Sequence, residues 1–262
     1  MIIDNFKKEI SPLLGLCIHA CYPSRRSSLV KETAQANATA QEVVVAQWQS
    51  IMKKLNAYLN LMKANNAPPL LVSEVFTKIF SFINIKFFNS FLLRRELCTS
   101  SNGKYVGAGL AVLQQWCVEA TDEYVGSAWN ELRHVRQAAE FLRVIHQKQD
   151  MTLEEITREL CPVLSMQQLF RISTMYWDDR CGMRGVSSDL IAKLRIMMAD
   201  DSSNATSGSL TTLDEEDSSI PFTVEEISKS MQQVDVNNIN EPLQLIRESP
   251  GFSFLFTRED SS

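Results

Sequence analysis

Glycine is scarce in this sequence. The chain has 9 glycines in 262 residues, about half of the roughly 7% that proteins use on average. This scarcity argues against sheet-rich folds with many tight turns and against glycine-lined phosphate loops. Residues 103–109 hold three of the glycines, but they lack the Walker spacing and no apolar strand precedes them. We therefore predict that these glycines lie at a turn or at the start of a helix.

Long apolar runs are absent as well. The most apolar stretch, residues 70–93, is interrupted by the charged residues Glu74, Lys78 and Lys86 and by Asn84 and Asn89. A bilayer-spanning helix needs about 20 nearly uninterrupted apolar residues, so no direct membrane span is predicted. The N-terminus has no basic region followed by an apolar core, which argues against a signal peptide. We therefore expect a cytoplasmic protein whose 6 cysteines are reduced.

Charge divides the chain into two parts. Residues 1–199 hold 23 basic and 18 acidic side chains, whereas residues 200–262 hold 3 basic and 13 acidic ones. The basic excess of the first part is small and forms no stripe, so nucleic-acid binding is not expected. We predict a body at 1–199, a mobile acidic Ser-rich linker at 200–219 and a return segment at 220–262. Short apolar patches at 220–222, at Ile227 and at 250–256 are expected to dock the return segment on the body.

Helical periodicity dominates the body, and no segment alternates with a period of two. Apolar residues recur at three- and four-residue steps along most segments, which is typical of amphipathic helices. Residues 70–97 are apolar around most of the helix circumference, which predicts a central buried helix. Ser101, Asn102 and Gly103 are predicted to form a turn, and Trp116, Trp129 and Trp177 to lie in the core. The fold class is therefore all-α, with helices predicted at 42–62, 70–97, 105–120, 127–147, 165–177 and 187–198.

Catalytic and metal-binding chemistry is poorly represented. Cys17, His19 and Cys21 have metal-like spacing, but a zinc site needs further ligands and no second pair follows. We expect no metal and no cofactor. A thiol could be combined with His134 into a Cys-dependent hydrolase, yet nothing in the local sequence selects one; His134 is expected on a solvated helix face. We therefore expect no enzyme and keep a Cys-dependent helical hydrolase or a generic helical scaffold as alternatives.

Several segments, in order along the chain, carry a resemblance to a known family: residues 75–84, 88–96, 101–106, 131–138, 160–169, 171–179, 217–222 and 251–255. They are similar to the dilute (DIL) motif of myosin cargo-binding tails and, taken together, to the globular tail of plant class XI myosins. Two positions depart from the plant pattern. At Leu97-Cys98 the plant pattern has a Cys pair, and at Arg180-Cys181 it has a basic residue followed by an aromatic one.

The resemblance implies an elongated all-α cargo-binding tail with an extended acidic C-terminal segment. Such a tail binds vesicle or organelle receptors, including coiled-coil adaptors and Rab-type GTPases, and sits at the periphery of organelles. Contact with myosin motor heads, as in autoinhibition, is a further implied partner. The sequence has no P-loop, IQ motif or heptad repeat, so we expect a tail without motor activity. Its first residues match an internal position of the family's tail, which predicts N-terminal truncation.

Partner binding by such tails uses exposed helix faces instead of a catalytic cleft. Arginine and tyrosine are enriched among interface hot spots, and this guides the choice of candidates. Near the end of the body we select Tyr176, Arg180, Lys193 and Arg195. A second patch is expected at Arg133 and Arg136, and ordinary solvation of a helix surface remains the alternative for all six.

Overall fold

The fold is built from α-helices throughout. A computed structural model of the chain describes residues 2–18, 34–145, 151–177, 185–204, 212–215 and 217–231. Across these residues there is no strand, only one isolated bridge between Thr99 and Trp177, and the all-α prediction is confirmed. The helices are α1 (Ile2–Cys17), α2 (Ala34–Ala64), α3 (Pro69–Leu93), α4 (Ser100–Ala120), α5 (Asp122–Val125), α6 (Ala128–Glu131), α7 (Arg133–Val144), α8 (Met166–Met175), α9 (Ser188–Asn204) and α10 (Val224–Met231). A 3₁₀ turn (Arg95–Leu97) and a π-helical segment (Glu155–Leu160) complete the described elements.

Helix α3 lies at the centre of the molecule, as predicted. Fourteen of its 25 residues are buried, and they point in all directions around the helix axis. A helix that is apolar all round must be covered on every side. Helices α1, α5, α6, α7, α8 and α10 pack on it. Pro69 at its first position is compatible with helix initiation because the missing N–H would be unpaired there anyway.

Aromatic side chains join α3 to the neighbouring helices. The Trp116 ring of α4 lies 5.1 Å from the Phe76 centroid and 6.0 Å from the Phe80 centroid. Farther along the same face of α3, the Trp48 ring of α2 lies 5.5 Å from the Phe87 centroid. Each buried aromatic removes about 150–250 Å² from water. Through these ring contacts α2 and α4 both pack against α3.

Helix α4 begins earlier than predicted. Ser101, Asn102 and Gly103 form its first turn, so the predicted turn there is wrong. The reason is an N-cap at the preceding residue: the Thr99 hydroxyl accepts a hydrogen bond from the Asn102 backbone N–H at 3.0 Å. Gly103 is suited to this position by close packing, because a Cβ there would lie 2.7 Å from the Ala139 carbonyl oxygen of α7.

The helix predicted over 127–147 is divided in two. Its first part is α6, and after Leu132 the chain restarts as α7. The backbone N–H of Val135, in the first turn of α7, donates to the side-chain carbonyl of Asn84 at 3.0 Å. The first N–H groups of a helix lack intrahelical acceptors. A side chain from α3 therefore supplies the acceptor that the local sequence of α7 does not.

The tryptophans divide between the core and the surface. Trp116 is fully buried and Trp129 packs at the edge of the core, as predicted. The prediction for Trp177 is wrong, because 41% of this residue is exposed. Helix α8 ends at Met175, and the extended chain then bonds the Trp177 N–H to the Cys98 carbonyl at 3.1 Å. This change of direction places Tyr176 inside and Trp177 outside.

The described acidic segment contacts the body. Asn89 of α3 donates to the Leu213 carbonyl and accepts from the Leu213 N–H, both at 2.8 Å. Lys86 pairs with Glu215, and Lys7 of α1 donates to the Ser218 hydroxyl at 2.9 Å. Thus part of the predicted linker lies along α1 and α3, and the division at 199, 219 and 220 stays a prediction.

The apolar patches of the return segment differ from one another. Ile220 packs against the core, whereas Phe222 is 54% exposed and does not dock as expected. Phe222 stands directly before α10, whose first residue, Val224, is also exposed. The remaining patch at 250–256 lies outside the described residues. Helix α9 continues to Asn204, beyond the predicted end of the body.

Two glycines of α4 give a matched test of this packing. A Cβ at Gly109 would overlap the Trp48 indole, whereas a Cβ at Gly107 meets no atom within 4 Å. We expect Gly109→Ala to lower the free energy of unfolding by about 1–3 kcal/mol, because the buried ring must shift. Gly107→Ala is expected to raise it by about 0.5–1 kcal/mol through helix propensity. Urea unfolding followed by circular dichroism at 222 nm measures both, and equal stabilities would contradict the packing described here.

Candidate partner-binding surfaces

The first candidate surface is carried by α8 and α9. Ser165 and Gln168 form a capping box that fixes the start of α8. Leu190 and Leu194 bury one side of α9, and α9 packs on α8. The other side of α9 is therefore left to solvent, and it carries the predicted residues Lys193 and Arg195.

Both basic residues of α9 are held by local contacts. The Lys193 ammonium lies 2.7 Å from the Asp189 carboxylate one turn earlier. The Arg195 guanidinium lies 5.7 Å from the centroid of the Phe170 ring on α8, within the range of a cation–π contact. These contacts limit the rotamers of both side chains while leaving their charges at the surface.

Two exposed apolar residues of α9 were missed from the sequence. Ile196 is 63% exposed and Met197 is 43% exposed. They lie three and four residues after Lys193, so the three side chains are neighbours on the helix surface. All four residues are apolar in the sequence, and only the structure shows that Leu190 and Leu194 face inward while Ile196 and Met197 face outward. The surface therefore combines positive charge with exposed apolar area, a mixture that suits protein partners.

Tyr176 does not belong to this surface. Only 4% of the residue is exposed, so the expectation that it offers a surface anchor is corrected. It is the residue at which α8 ends, and its backbone N–H still donates to Ile172 at 2.9 Å. The exposed aromatic at this end of α8 is Trp177 instead. Arg180 lies outside the described residues.

The second candidate surface is centred on α7. Arg133 and Arg136 are both exposed on this helix. The Arg136 guanidinium lies 4.5 Å from the Trp129 ring centroid, in a cation–π contact. Partial burial against this ring lowers the pKa of Arg136 from its ordinary value, although an arginine stays protonated at any physiological pH.

A cleft of about 360 Å³ adjoins this surface, between α4 and α7. Sequence reasoning missed it, because Gly103, Lys104 and Gly107 were interpreted only as residues of a turn or helix start. The cleft depends on the approach of two helices separated along the chain, and no local motif signals it. Its lining consists of Gly103, Lys104, Gly107, Ala108, Leu110, Ala111, Gln114, Trp129, Arg136, Ala139, Glu140 and Arg143.

His134 packs inward instead of facing solvent. Its Nδ1 lies 3.4 Å from the amide nitrogen of Asn84, and its ring lies 5.3 Å from the Phe88 centroid. The prediction of a solvated face is therefore wrong for this residue. An amide nitrogen can only donate, so Nδ1 accepts and the ring proton of the neutral tautomer sits on Nε2. Burial, and then the neighbouring charge of Arg133, lower the pKa of His134.

The described cysteines are poor nucleophiles. Burial raises the pKa of Cys17, Cys98, Cys117 and Cys161 to about 12. The thiolate is the reactive form, and at neutral pH these four groups remain thiols. Cys21 and Cys181 lie outside the described residues. The protonated state of the four buried thiols gives no support to a Cys-dependent hydrolase built on any of them.

The described part of the chain holds neither a cluster of metal ligands nor a candidate membrane span. His19 and Cys21 of the metal-like motif lie outside it, while Cys17 is buried at the end of α1. Within the described ranges no three His, Cys, Asp or Glu side chains cluster as metal ligands. Over the same ranges, none of the helices has both the length and the apolarity to traverse a bilayer.

Comparison with known proteins gives concordant results. Residues 74–180 match the family described as the DIL domain. The whole chain aligns with Myosin-17 of Arabidopsis thaliana at 70% identity over 262 residues, which is 17% of that protein. It aligns with Myosin-11 of the same plant at 58% identity, covering 99% of this chain and 17% of the relative. Protein OPAQUE1 of Zea mays is 42% identical over 98% of this chain and 17% of its own length.

Solved structures share the fold at low sequence identity. The Myo2-GTD in complex with Smy1 superimposes with a TM-score of 0.64 and 15% identity, covering 92% of this chain and 53% of that one. The yeast myosin 5 cargo binding domain superimposes with a TM-score of 0.63 at 14% identity, and the match again covers 92% of this chain and 53% of that one. At such identities the likeness shows the fold alone.

The helical body organised around α3 is therefore of the DIL type, a class of myosin tail domains. Within that class, the chain belongs to the globular tails of plant class XI myosins, as the sequence resemblance implied. It spans about a sixth of the length of the curated relatives it matches, 17% in the case of Myosin-17.

The environment of His134 predicts a pH dependence of stability. Its pKa in the folded chain lies below the ordinary value of 6.5, so the unfolded chain binds the proton first. Its contribution to stability is therefore complete above about pH 6.5 and is lost as the pH falls through the folded-state pKa. His134→Gln keeps an acceptor for Asn84 and removes this titration. We expect urea unfolding at pH 5 to 7.5 to show a smaller loss on acidification in the variant than in the wild type. Parallel pH profiles would show that His134 is not buried against α3.

Proposed function

We propose that this chain is a cargo-binding globular tail that attaches an actin-based myosin to protein receptors on organelles or vesicles. The observation that carries the proposal is the similarity of the entire chain to Myosin-17 at 70% identity, with a DIL domain at its centre. Its partners are coiled-coil adaptors and Rab-type GTPases, and its place is the cytoplasmic side of the organelle surface. Contact with a myosin motor head is a further proposed interaction.

Proteins of the same fold support binding by exposed helices. Solved structures show Myo2-GTD in complex with Smy1, with Inp2 and with Mmr1. These partners are those of Myo2-GTD, and receptor binding by the present chain is our proposal. The fold offers several exposed helix faces, so different partners need not share one surface.

Two surfaces are proposed for these partners. One is formed on α9 by Lys193 and Arg195 together with the exposed Ile196 and Met197. The other lies on α7 at Arg133 and Arg136. Arg180 stays a candidate from the sequence alone, and the buried Tyr176 is left out. Interfaces favour arginine and apolar anchors at their centres, which is the composition found on α9.

A binding role agrees better than catalysis with the chemistry of the chain. The family is a cargo-binding tail domain and not a catalytic one. The 262 residues of this chain contain no P-loop, and burial raises the pKa of its four described thiols. Receptor binding requires only exposed, complementary surface, which α7 and α9 provide.

Flotation with plant organelle membranes tests the proposal. A fluorescent fusion of the chain is expected to float with the membranes, and to be lost when trypsin has first removed their exposed proteins. Arg195→Glu is expected to weaken retention about tenfold, because losing a hot-spot contact costs over 1 kcal/mol. Adding purified Rab-type GTPases loaded with GTP or with GDP measures the nucleotide dependence of binding.

Lys53→Glu is the matched control, because Lys53 is an exposed basic residue on α2 and the variant makes the same charge change. Retention of the wild type on trypsin-treated membranes would contradict a protein receptor. Equal losses from Arg195→Glu and Lys53→Glu would show that net charge, and not the α9 surface, determines retention.

A further inference from the structure

The cleft between α4 and α7 has the dimensions of a peptide site. Its α4 side runs from Gly103 to Gln114, which at 1.5 Å per residue corresponds to about 16 Å. That length accommodates about three turns of a helix or about five residues of an extended chain. The volume of about 360 Å³ lies near the lower end of the range for ligand pockets.

The floor of the cleft is small and apolar. It contains Gly107, Ala108 and Ala111 from consecutive turns of α4. A Cβ at Gly107 would meet nothing within 4 Å, so the surface above this residue is open. By contrast, Gly103 at the end of the cleft is in tight contact with α7. The floor can therefore receive apolar side chains from an occupant without movement of either helix.

The rim of the cleft is basic. It carries Lys104, Arg136 and Arg143, against a single carboxylate, Glu140. Glu140 is already paired with Arg143. Among the described residues, Lys104 and Arg136 have no carboxylate within salt-bridge distance. Arg136 is further held against the Trp129 ring, so its guanidinium is positioned before any partner arrives.

The acidic segment of the same chain does not neutralise this rim in its described part. Glu215 is paired with Lys86 on α3, and Leu213 is bonded to Asn89. Ser218 bonds Lys7 on α1. The described acidic segment thus contacts α1 and α3, and its carboxylates do not pair with the basic residues of the cleft.

We propose that this cleft binds a short acidic peptide segment of a partner protein. Its carboxylates pair with Lys104 and Arg136, and an apolar side chain between them rests on Ala108 and Ala111. Arginine binds a carboxylate in a bidentate, charge-assisted manner, and the apolar floor favours a peptide over a phosphate or a nucleic acid. The inference rests on the proposed cargo-binding function and specifies the partner's chemistry at the α7 surface.

Selection from a random dodecapeptide display library tests the site on the full chain. Selected peptides are expected to be rich in Asp and Glu and to contain a large apolar residue. Gly107→Leu fills the open floor and is expected to weaken the anisotropy-measured affinity of a selected acidic peptide at least tenfold. Gly15→Leu is the matched control, because a Cβ at Gly15 also meets nothing within 4 Å and it lies on α1.

Charge reversal provides an independent variant. Lys104→Glu is expected to weaken the same peptide about tenfold, while Lys53→Glu leaves its affinity within twofold. A library that yields no acidic enrichment, or peptides that bind Gly107→Leu as well as wild type, would overturn the inference. So would inorganic phosphate or a single-stranded RNA that binds the cleft more tightly than the selected peptides.

The two proposals fail in different ways. If the chain floats with untreated membranes and is lost after trypsin treatment, but no peptide distinguishes Gly107→Leu from Gly15→Leu, the cleft inference alone is wrong. If peptides bind the cleft as expected while the chain ignores organelle membranes, the cargo-binding proposal alone is wrong.

Discussion

The burial of α3 is the constraint on which the rest of the structure depends. Fourteen of its residues are buried on all sides of the axis, so no single neighbouring helix can cover it. Burying one large apolar side chain contributes about 1.5–3 kcal/mol, and exposing this helix would forfeit many such contributions. The covering helices and the described acidic segment are arranged around that requirement. Hydrophobic burial has no direction, however, and something else must fix where each element lies.

Polar side chains of α3 supply that direction. Asn84 accepts from the first turn of α7, Asn89 makes two bonds to Leu213, and Lys86 pairs with Glu215. A buried polar group left without a partner costs about 1–3 kcal/mol. Of the three residues only Asn84 is buried, so this cost applies to displacement of α7. The contacts of Asn89 and Lys86 are more exposed and guide the acidic segment at a smaller cost. The result is a buried centre with exposed outer faces on α4, α7 and α9.

Much of this architecture is readable from the sequence because it depends on periodicity. The apolar circumference of residues 70–97 predicts the central helix, and the ordered motifs identify the myosin tail. Tyr176 and Trp177 were predicted the wrong way round, since the end of α8 and its bond to Cys98 decide which ring turns inward. The pairing of Asn84 with α7, the inward face of His134 and the cleft beside Gly107 all arise from helices far apart in the chain. No pattern within one helix encodes such contacts.

Native-state hydrogen exchange of the α3 amides tests most directly whether this helix organises the fold. Mass spectrometry of peptides covering residues 76–92 yields their protection free energy. If α3 is covered on every side, its slowest amides exchange only through global unfolding, and this value equals the free energy of unfolding from urea titration at the same pH. Helices α9 and α10 are then less protected. Protection of α3 below that of α9 or α10 would contradict the central position assigned to it.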